Sequence, residues 1–235
     1  MVVIVILKLI VKYEKINYAK YLAHLELSGI IQRILRRLEL PLEYSSGYNP
    51  KPQIAFAAPL SVGTSSKGEY FEVRITEEFD LRKITEIDPS FLPVGIKFID
   101  ATFSTAKNSI MAIVSDASYI LKITTERQYE EDDIREKLNK FLAQDEIIWE
   151  KIRRKKKPIT KNIVEFINNV FLLNTNNKEM IFKINVKTGS NGNLQPDVIV
   201  KKFIEYANIE LSDEFINIQR QEIFKNVNSE QVPII

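Results

Sequence analysis

The sequence predicts an α+β protein made of two tandem ferredoxin-like halves, each with the element order β-α-β-β-α-β and an antiparallel sheet. Three observations lead to this class. Runs with strand patterns are interleaved with runs at helical spacing, in that order and twice over. A length of 235 residues gives room for two small domains. A content of 45% hydrophobic and 27% charged residues is typical of a folded globular chain.

The first half, residues 1–103, begins with the apolar run Val2–Tyr13, which predicts a buried strand. Apolar residues at helical spacing then predict one helix over Asn17–Glu39, which Pro41 stops. In Glu69–Thr76 apolar and polar residues alternate, which is typical of a strand with one buried face. The remaining elements are a strand at Ile54–Ala58, a short helix within Asp80–Ile87 and a strand at Val94–Phe103.

The polar segment 104–116 is predicted to link this half to the second one, residues 117–235, although Ile110–Val114 could form a helical turn. Helices are predicted at Tyr129–Ala143 and at Val198–Ala207, where Pro196 stands near the start. No repeat of individual residues is visible, so the duplication is one of topology only. Strands are predicted around Tyr119–Ile123, Ile147–Arg154, Ile163–Leu173 with a break near Asn168, Met180–Lys187 and Phe215–Lys225.

The composition excludes several kinds of site. The chain has no cysteine, which excludes disulfides, thiolate zinc sites and an iron–sulfur cluster held by the chain itself. Its single histidine, His24, leaves too few nitrogen ligands for a transition-metal site, and no phosphate-binding glycine motif occurs. We therefore expect no cofactor. The N-terminal apolar run contains Lys8 and Lys12 and is too short to span a bilayer, so we expect a cytoplasmic protein with no membrane partner.

The segment Leu42–Tyr70 is rich in proline, glycine and serine around one short apolar run. Pro50 and Pro52 favour an extended backbone. This predicts a rigid polar loop, the kind of segment in which binding residues concentrate. A hairpin connection whose prolines protect an edge strand explains the same residues equally well. The candidate binding residues of the loop are Tyr44, Ser45, Tyr48, Asn49 and Lys51.

The net charge is only +2, so any basic surface must be local, and two segments stand out. On the first helix, Arg33, Arg36 and Arg37 form either a solvated stripe that pairs with Glu26 or a grip for phosphate, which suits the planar guanidinium. The second segment puts Trp149 just before a basic run, a combination that favours single-stranded nucleic acid through stacking and charge neutralisation. A charged hairpin tip that keeps an edge soluble is the alternative. The run comprises Lys151, Arg153, Arg154, Lys155, Lys156 and Lys157.

Several short motifs run along the chain. The most specific is Tyr44-Ser45-x-Gly47-Tyr48-Asn49-Pro50-x-Pro52. The others are Tyr13-Glu14-Lys15, Ala23-His24-Leu25-Glu26, Arg33-x-x-Arg36-Arg37, Leu40-Pro41, Glu69-Tyr70, Leu92-Pro93-x-Gly95-Ile96, Lys155–Lys157, Gly189–Pro196 and Arg220. Together they resemble the bacterial radical-SAM-linked domain family of unknown function, over nearly the whole chain. The resemblance implies an accessory role beside a radical SAM protein, near RNA processing or modification.

The sequence departs from this family at four positions. Ala23 and Glu26 stand where the family usually has serine and aspartate, Lys51 where it often has histidine, and Asn162 where aspartate is frequent. The loss of that histidine and of the aspartate at position 162 weakens any acid–base mechanism that would use them. A radical SAM enzyme also needs thiolates for its cluster, so this chain could serve such an enzyme but could not be one.

Three functions stay open from the sequence. The first is an RNA-binding accessory protein that works with a radical SAM enzyme. The second is a metal-independent endoribonuclease that uses His24, Tyr48 and Lys51, by analogy with the tandem ferredoxin-like folds of CRISPR repeat-processing nucleases. The third is a module that docks on a radical SAM partner through the proline-rich loop.

We also expect a location for the ligand. Arg36 and Arg37 lie close along the chain to Tyr44, so they can flank Ser45–Lys51 with little loop-closure cost. The expected site is a polar concavity between arginines and proline-stiffened backbone, where the specific ligand would bind. The basic run Lys155–Lys157 would add affinity without specificity.

Overall fold

The computed structural model of the chain describes residues 6–153, 156–189 and 192–235. It confirms an α+β class in which the paired strands whose registers are resolved run antiparallel. Within these described ranges, no helix is both long enough and apolar enough to cross a lipid bilayer. The chain forms two compact units, Met1–Ser115 with Arg220–Ile235, and Asp116–Gln219. The last strand thus returns to the first unit, whereas the sequence-based division placed all of 117–235 in one half.

Unit 1 contains a sheet in the order β4-β1-β3-β10, with β2 also paired to β3 and β11 to β10. Short 3-10 turns at Asn17–Tyr21 and Pro89–Phe91 complete it. Its elements are β1 Leu7–Lys15, α1 His24–Arg37, β2 Ile54–Phe56, β3 Ser65–Ile75, α2 Arg82–Thr85, β4 Ile96–Ser104, α3 Ile110–Ile113, the start of β5 Val114–Thr124, β10 Asn217–Val227 from Arg220 onwards, and β11 Glu230–Pro233.

The predicted helix Asn17–Glu39 is two elements, a 3-10 turn and α1, separated at Leu22 and Ala23. The break occurs because the buried ammonium of Lys15 donates to the Leu22 carbonyl at 2.8 Å. Glu26 then accepts from the Ala23 amide at 2.8 Å and caps the new helix start. Four apolar residues of α1 pack into a core that also contains residues of β1 and β3: Leu27, Ile31, Ile34 and Leu35.

Strand β3 is buried on both faces, which corrects the expectation of one buried face. Phe71 packs towards α1, while Tyr70 and Glu72 lie on the opposite face and are only 1% and 8% exposed. Three polar contacts make this burial possible. The Tyr70 hydroxyl donates to Glu222 at 2.6 Å, and Glu72 pairs with Lys8 at 3.3 Å and accepts from the Ile110 amide at 3.1 Å. A second small core covers that face.

We expect the stability of the protein to fall above pH 10 because of this arrangement. Burial, followed by the hydrogen bond to Glu222, raises the pKa of Tyr70 well above its usual value. An unfolded tyrosine ionises near pH 10, so above that pH Tyr70 is ionised in the unfolded state and still protonated in the folded state. The free energy of unfolding should then drop by about 1.4 kcal/mol per pH unit for this group. Denaturant unfolding between pH 9 and 11 tests this. Tyr70→Phe should reduce the slope and Tyr48→Phe, on an exposed side chain, should not.

Unit 2 has a sheet in the order β10-β5-β9-β8 and a separate two-stranded hairpin, β6-β7. Helices α4 and α5 cover a core in which Phe203 lies 5.6 Å from Phe141 and 5.8 Å from Phe182, ring to ring. Strand β8 shifts register between Ile167 and Asn169, near the predicted break. Whether each half is a ferredoxin-like fold stays a prediction. The elements are the rest of β5, α4 Glu131–Leu142, β6 Ile148–Arg153, β7 Lys156–Asn162, β8 Ile167–Asn176, β9 Glu179–Lys187, α5 Pro196–Ala207 and the start of β10, with a 3-10 turn at Val164–Phe166.

Candidate nucleic-acid interface

Residues 43–53 form a short hairpin, here called the tip hairpin, that attaches to the edge of β3. The Glu43 amide donates to the Arg74 carbonyl at 2.9 Å, and the Arg74 amide donates to the Gln53 carbonyl at 3.0 Å. Near the tip, the Ser45 amide donates to the Lys51 carbonyl at 2.9 Å, and the Ser45 hydroxyl accepts from the Lys51 amide at 3.1 Å. The backbone is therefore held at both ends, and Tyr48, Asn49 and Lys51 are exposed.

Three arginines at the end of α1, here called the arginine face, are all exposed: Arg33, Arg36 and Arg37. The guanidinium carbon of Arg36 lies 6.0 Å from the centre of the Tyr44 ring, which joins the helix end to the tip hairpin. Arg37 instead lies 4.0 Å over the Phe91 ring, in the 3-10 turn before β4. Arg36 and Arg37 were both expected beside the loop. The structure shows Arg36 in contact with it. Arg37 instead contacts Phe91, a partner that the sequence did not predict.

In the described part of the chain, the positive charges of the arginine face are not paired with carboxylates of the same helix, in contrast to those on α4 and α5. On α4, Arg135 pairs with Glu131 and Lys137 with Asp133; on α5, Lys201 pairs with Asp197. By contrast, none of the ion pairs within the described residues includes a member of the arginine face. Glu26, the expected partner, is used to cap α1. These guanidinium groups are therefore available to an external anion.

His24 lies at the opposite end of α1 from the tip hairpin. Its ring meets Phe56 edge-on at 4.9 Å. Arg36 lies twelve positions after His24 on the helix, which at about 1.5 Å per residue is roughly 18 Å along the axis. No contact among the described residues joins His24 to Tyr48 or Lys51. The structure does not bring together the three side chains of an acid–base site, nor, within the described ranges, three or more acidic or histidine side chains that could hold a metal.

The basic run lies on the β6-β7 hairpin. Arg154 and Lys155 fall outside the described residues, and for Arg153, Lys156 and Lys157 only the backbone is described, with Arg153 opposite Lys156. The register shifts between Lys151 and Arg153, so residues do not alternate regularly between the two faces of the hairpin from Trp149 to the tip.

Trp149 is half-buried and packs against the core of unit 2. One side of it borders an open groove of about 550 Å³ along α5, whose lining includes Val198, Lys201 and Lys202. The other side borders a narrower cleft lined by Lys161 and Phe166. Trp149 is thus part of the wall of a groove whose ammonium groups, among the described residues, come from α5 and not from the basic run of its own hairpin, and its ring is partly used in packing.

Unit 1 also contains a buried ionic cluster, formed by Lys15, Glu69 and Arg220, which the sequence did not predict. One Arg220 nitrogen donates to both Glu69 carboxylate oxygens at 2.8 and 3.0 Å, and the other donates to the Pro59 carbonyl at 2.9 Å. All three side chains are nearly inaccessible to solvent. Burial lowers the pKa of Lys15, the nearby Glu69 opposes this shift and Arg220 adds to it. Burial, and then the charge of Glu69, raises the pKa of Tyr13 beside the cluster.

A signal for this cluster was present in the sequence. Glu69 shares the alternating face of β3 with Phe71 and Val73, a position where an apolar side chain is expected. A carboxylate at a core position requires a buried cation or several donors. The partner could not be named, because Arg220 lies 151 residues further along the chain.

The chain matches, over residues 8–196, the family described as "Uncharacterized protein conserved in bacteria (DUF2344)". It belongs to this family. The match spans the arginine face, the tip hairpin and Trp149 of this DUF2344 chain, whereas Arg220 lies beyond the matched residues. None of the curated proteins matches the chain.

Three solved structures of ribonucleoprotein components are similar to this DUF2344 chain. A chain of a Cbf5-Nop10-Gar1 complex is similar with a TM-score of 0.50 and 12% identity, over 92% of this chain and 48% of that one. An archaeal box H/ACA sRNP Nop10-Cbf5 complex gives 0.45 and 13%, over 90% and 46%. An H/ACA RNP bound to a substrate RNA containing 2'-deoxyuridine gives 0.48 and 12%, over 90% and 46%. The chain spans about half the length of these proteins, and the first similarity is one of fold alone.

Proposed function

We propose that this chain is an RNA-binding accessory protein that presents single-stranded RNA to a radical SAM enzyme acting in RNA modification or processing. The observation that carries the proposal is the arginine face. Its three exposed guanidinium groups form no ion pair among the described residues, whereas charges on the other long helices are paired. The hydrogen bond from the Ser90 amide lowers the pKa of Asp88, and the charge of Arg37 only adds to this shift. An unpaired cluster of arginines is suited to phosphate, which it can bind through two parallel hydrogen bonds.

The aromatic neighbours of two of these arginines support the same function. A guanidinium that lies over a ring is held in place by the ring while its N–H groups point outward. Arg36 with Tyr44 and Arg37 with Phe91 have this arrangement. The adjacent tip hairpin adds the exposed side chains of Tyr48, Asn49 and Lys51, which can contact base edges or the sugar. Phosphate contacts would position the RNA and the hairpin would select it.

The structural similarity agrees with a role near RNA. The similar fold is that of a chain from a Cbf5-Nop10-Gar1 complex. The radical SAM partner is inferred from the family resemblance; because the sequence has no cysteine, these residues could not themselves hold the cluster. Co-purification of a radical SAM protein from the native host after nuclease treatment tests this part, and its failure would leave RNA binding unaffected.

Arg36→Ala and Arg37→Ala should each weaken binding of a dye-labelled twelve-nucleotide oligouridine and lower its salt dependence. Each phosphate contact on a single strand contributes about 0.7 to the slope of log K against log[salt], so the double variant should lose about 1.4. Fluorescence anisotropy at several salt concentrations measures both quantities.

Arg135→Ala is the matched control, because Arg135 is also an exposed helical arginine but is paired with Glu131. It should leave the slope unchanged. The proposal is wrong if the wild-type chain does not bind oligouridine at low salt, or if Arg135→Ala is as damaging as the two variants of the arginine face.

A further inference from the structure

We propose that the 3-10 turn Asn17–Tyr21 is a stacking site for unpaired bases of RNA, with Tyr18 and Tyr21 as the two stacking rings. This inference rests on the proposed function, since it specifies where the bases of a bound strand would lie. Tyr18 and Tyr21 are 81% and 58% exposed. Two large aromatic side chains that stand this far out of the core do not contribute to it, so their position calls for an external partner.

The spacing of Tyr18 and Tyr21 along the turn suits two rings on one side. A 3-10 helix has three residues per turn and a rise of about 2 Å per residue, so side chains at i and i+3 lie in line, about 6 Å apart. Tyr18 and Tyr21 have this spacing, and Ala19 between them is buried against the core. Bases along a strand are about 3.4 Å apart, so about 6 Å corresponds to two base steps. The turn therefore offers two neighbouring ring faces at a separation that a short stack of bases can match.

Positive charge lies beside these rings. The Lys20 ammonium is 5.1 Å from the centre of the Tyr21 ring. A cation next to an aromatic face is the combination used by proteins that hold single strands, because the ring stacks on a base while the cation neutralises a phosphate. An interface for an apolar protein segment would not require an ammonium at this position. We therefore assign the surface to a nucleic acid strand.

The turn and the two residues that flank it are held by three hydrogen bonds. The Ile16 amide donates to the Gly95 carbonyl at 2.8 Å, and the Gly63 amide donates to the Lys20 carbonyl at 2.9 Å. Directly after the turn, Lys15 of the buried ionic cluster donates to the Leu22 carbonyl at 2.8 Å. The same cluster fixes the loop that carries Gly63, since Arg220 donates to Pro59. The rings are thus presented on a backbone that is already ordered, which reduces the entropy lost on binding.

Tyr18→Ala and Tyr21→Ala should each weaken binding of the labelled oligouridine about tenfold, the effect of losing one stacked base. The slope of log K against log[salt] should stay the same, because no phosphate contact is removed. Tyr18→Phe and Tyr21→Phe keep the ring and should bind like the wild type. Leu25→Ala, on an exposed but aliphatic side chain, should also bind like the wild type. Anisotropy titrations over a range of salt concentrations measure all of these.

Different results separate this inference from the proposed function. If the wild type does not bind oligouridine, both fail. If the wild type binds and Arg36→Ala weakens it, but both alanine variants of the turn bind like the wild type, the stacking site is wrong and RNA binding stands. If the phenylalanine variants lose as much affinity as the alanine variants, the hydroxyl groups rather than the rings make the contact, and the inference is again wrong.

Discussion

Replacing Arg220 with alanine should destabilise the protein by about 3–5 kcal/mol, the usual cost of removing one partner of a buried ion pair. Arg220 and Glu69 are 4% and 2% exposed, and the Arg220 side chain also satisfies the Pro59 carbonyl. Without the guanidinium, a carboxylate and a carbonyl are left in the core with fewer donors than they need. Chemical denaturation followed by circular dichroism measures the loss as a change in the free energy of unfolding.

Two further variants establish that the cost comes from the unpaired charge. Glu69→Gln together with Arg220→Met removes both charges, and should recover part of the stability lost in Arg220→Ala. Arg82→Ala breaks the exposed pair with Asp80 and should leave the unfolding midpoint where it was. An Arg220→Ala protein as stable as Arg82→Ala would show that the buried ionic cluster is not a structural element.

The second large effect is expected for Gly95→Ala. Gly95 has a φ of +91°, and a methyl group built on it would lie 2.1 Å from the Ile16 carbonyl oxygen. Backbone strain in the left-handed region costs about 1–2 kcal/mol and forced overpacking about 1–3 kcal/mol, so we expect a loss of about 3 kcal/mol. Thermal unfolding measures it. Because Ile16 leads into the 3-10 turn, Gly95→Ala should also weaken oligouridine binding.

Gly63→Ala is the matched control for that experiment. Gly63 also has a positive φ, +88°, but an added methyl group there meets no atom within 4 Å. Only the backbone strain remains, so the loss should be about 1–2 kcal/mol. Equal losses for the two alanine variants would mean that the close approach of Gly95 to Ile16 has no energetic consequence.

The sequence was sufficient to predict the class of the fold, because that depends on local periodicity. The positions of α4 and α5, and the helical turn at Ile110–Ile113, follow from apolar spacing and proline alone. The helix boundary at Leu22 did not follow. The apolar spacing continues through Leu25 and gives no sign of a boundary, yet Leu25 is 83% exposed. The boundary arises because a buried lysine in β1, Lys15, binds the Leu22 carbonyl and interrupts the helix.

The site was predictable to the extent that it is local in the chain. Proline and serine patterns indicated an ordered polar loop with an exposed Tyr48, and the arginines were visible as a group. Which arginine touches the loop was not predictable. Neighbouring residues on a helix point about 100° apart, and only the tertiary structure places Tyr44 near Arg36 and Phe91 near Arg37.

The division of the chain into units has a consequence for its synthesis. Unit 1 needs residues 220–235, and its Glu69 pairs with Arg220, so it cannot close until these residues have left the ribosome. Unit 2 is continuous, from Asp116 to Gln219, and is complete earlier. Domains usually fold in the order in which they are made. Of the two units, unit 1 begins first along the chain but is expected to reach its native state last, and until then its half-finished sheet exposes unpaired strand edges that a chaperone can recognise.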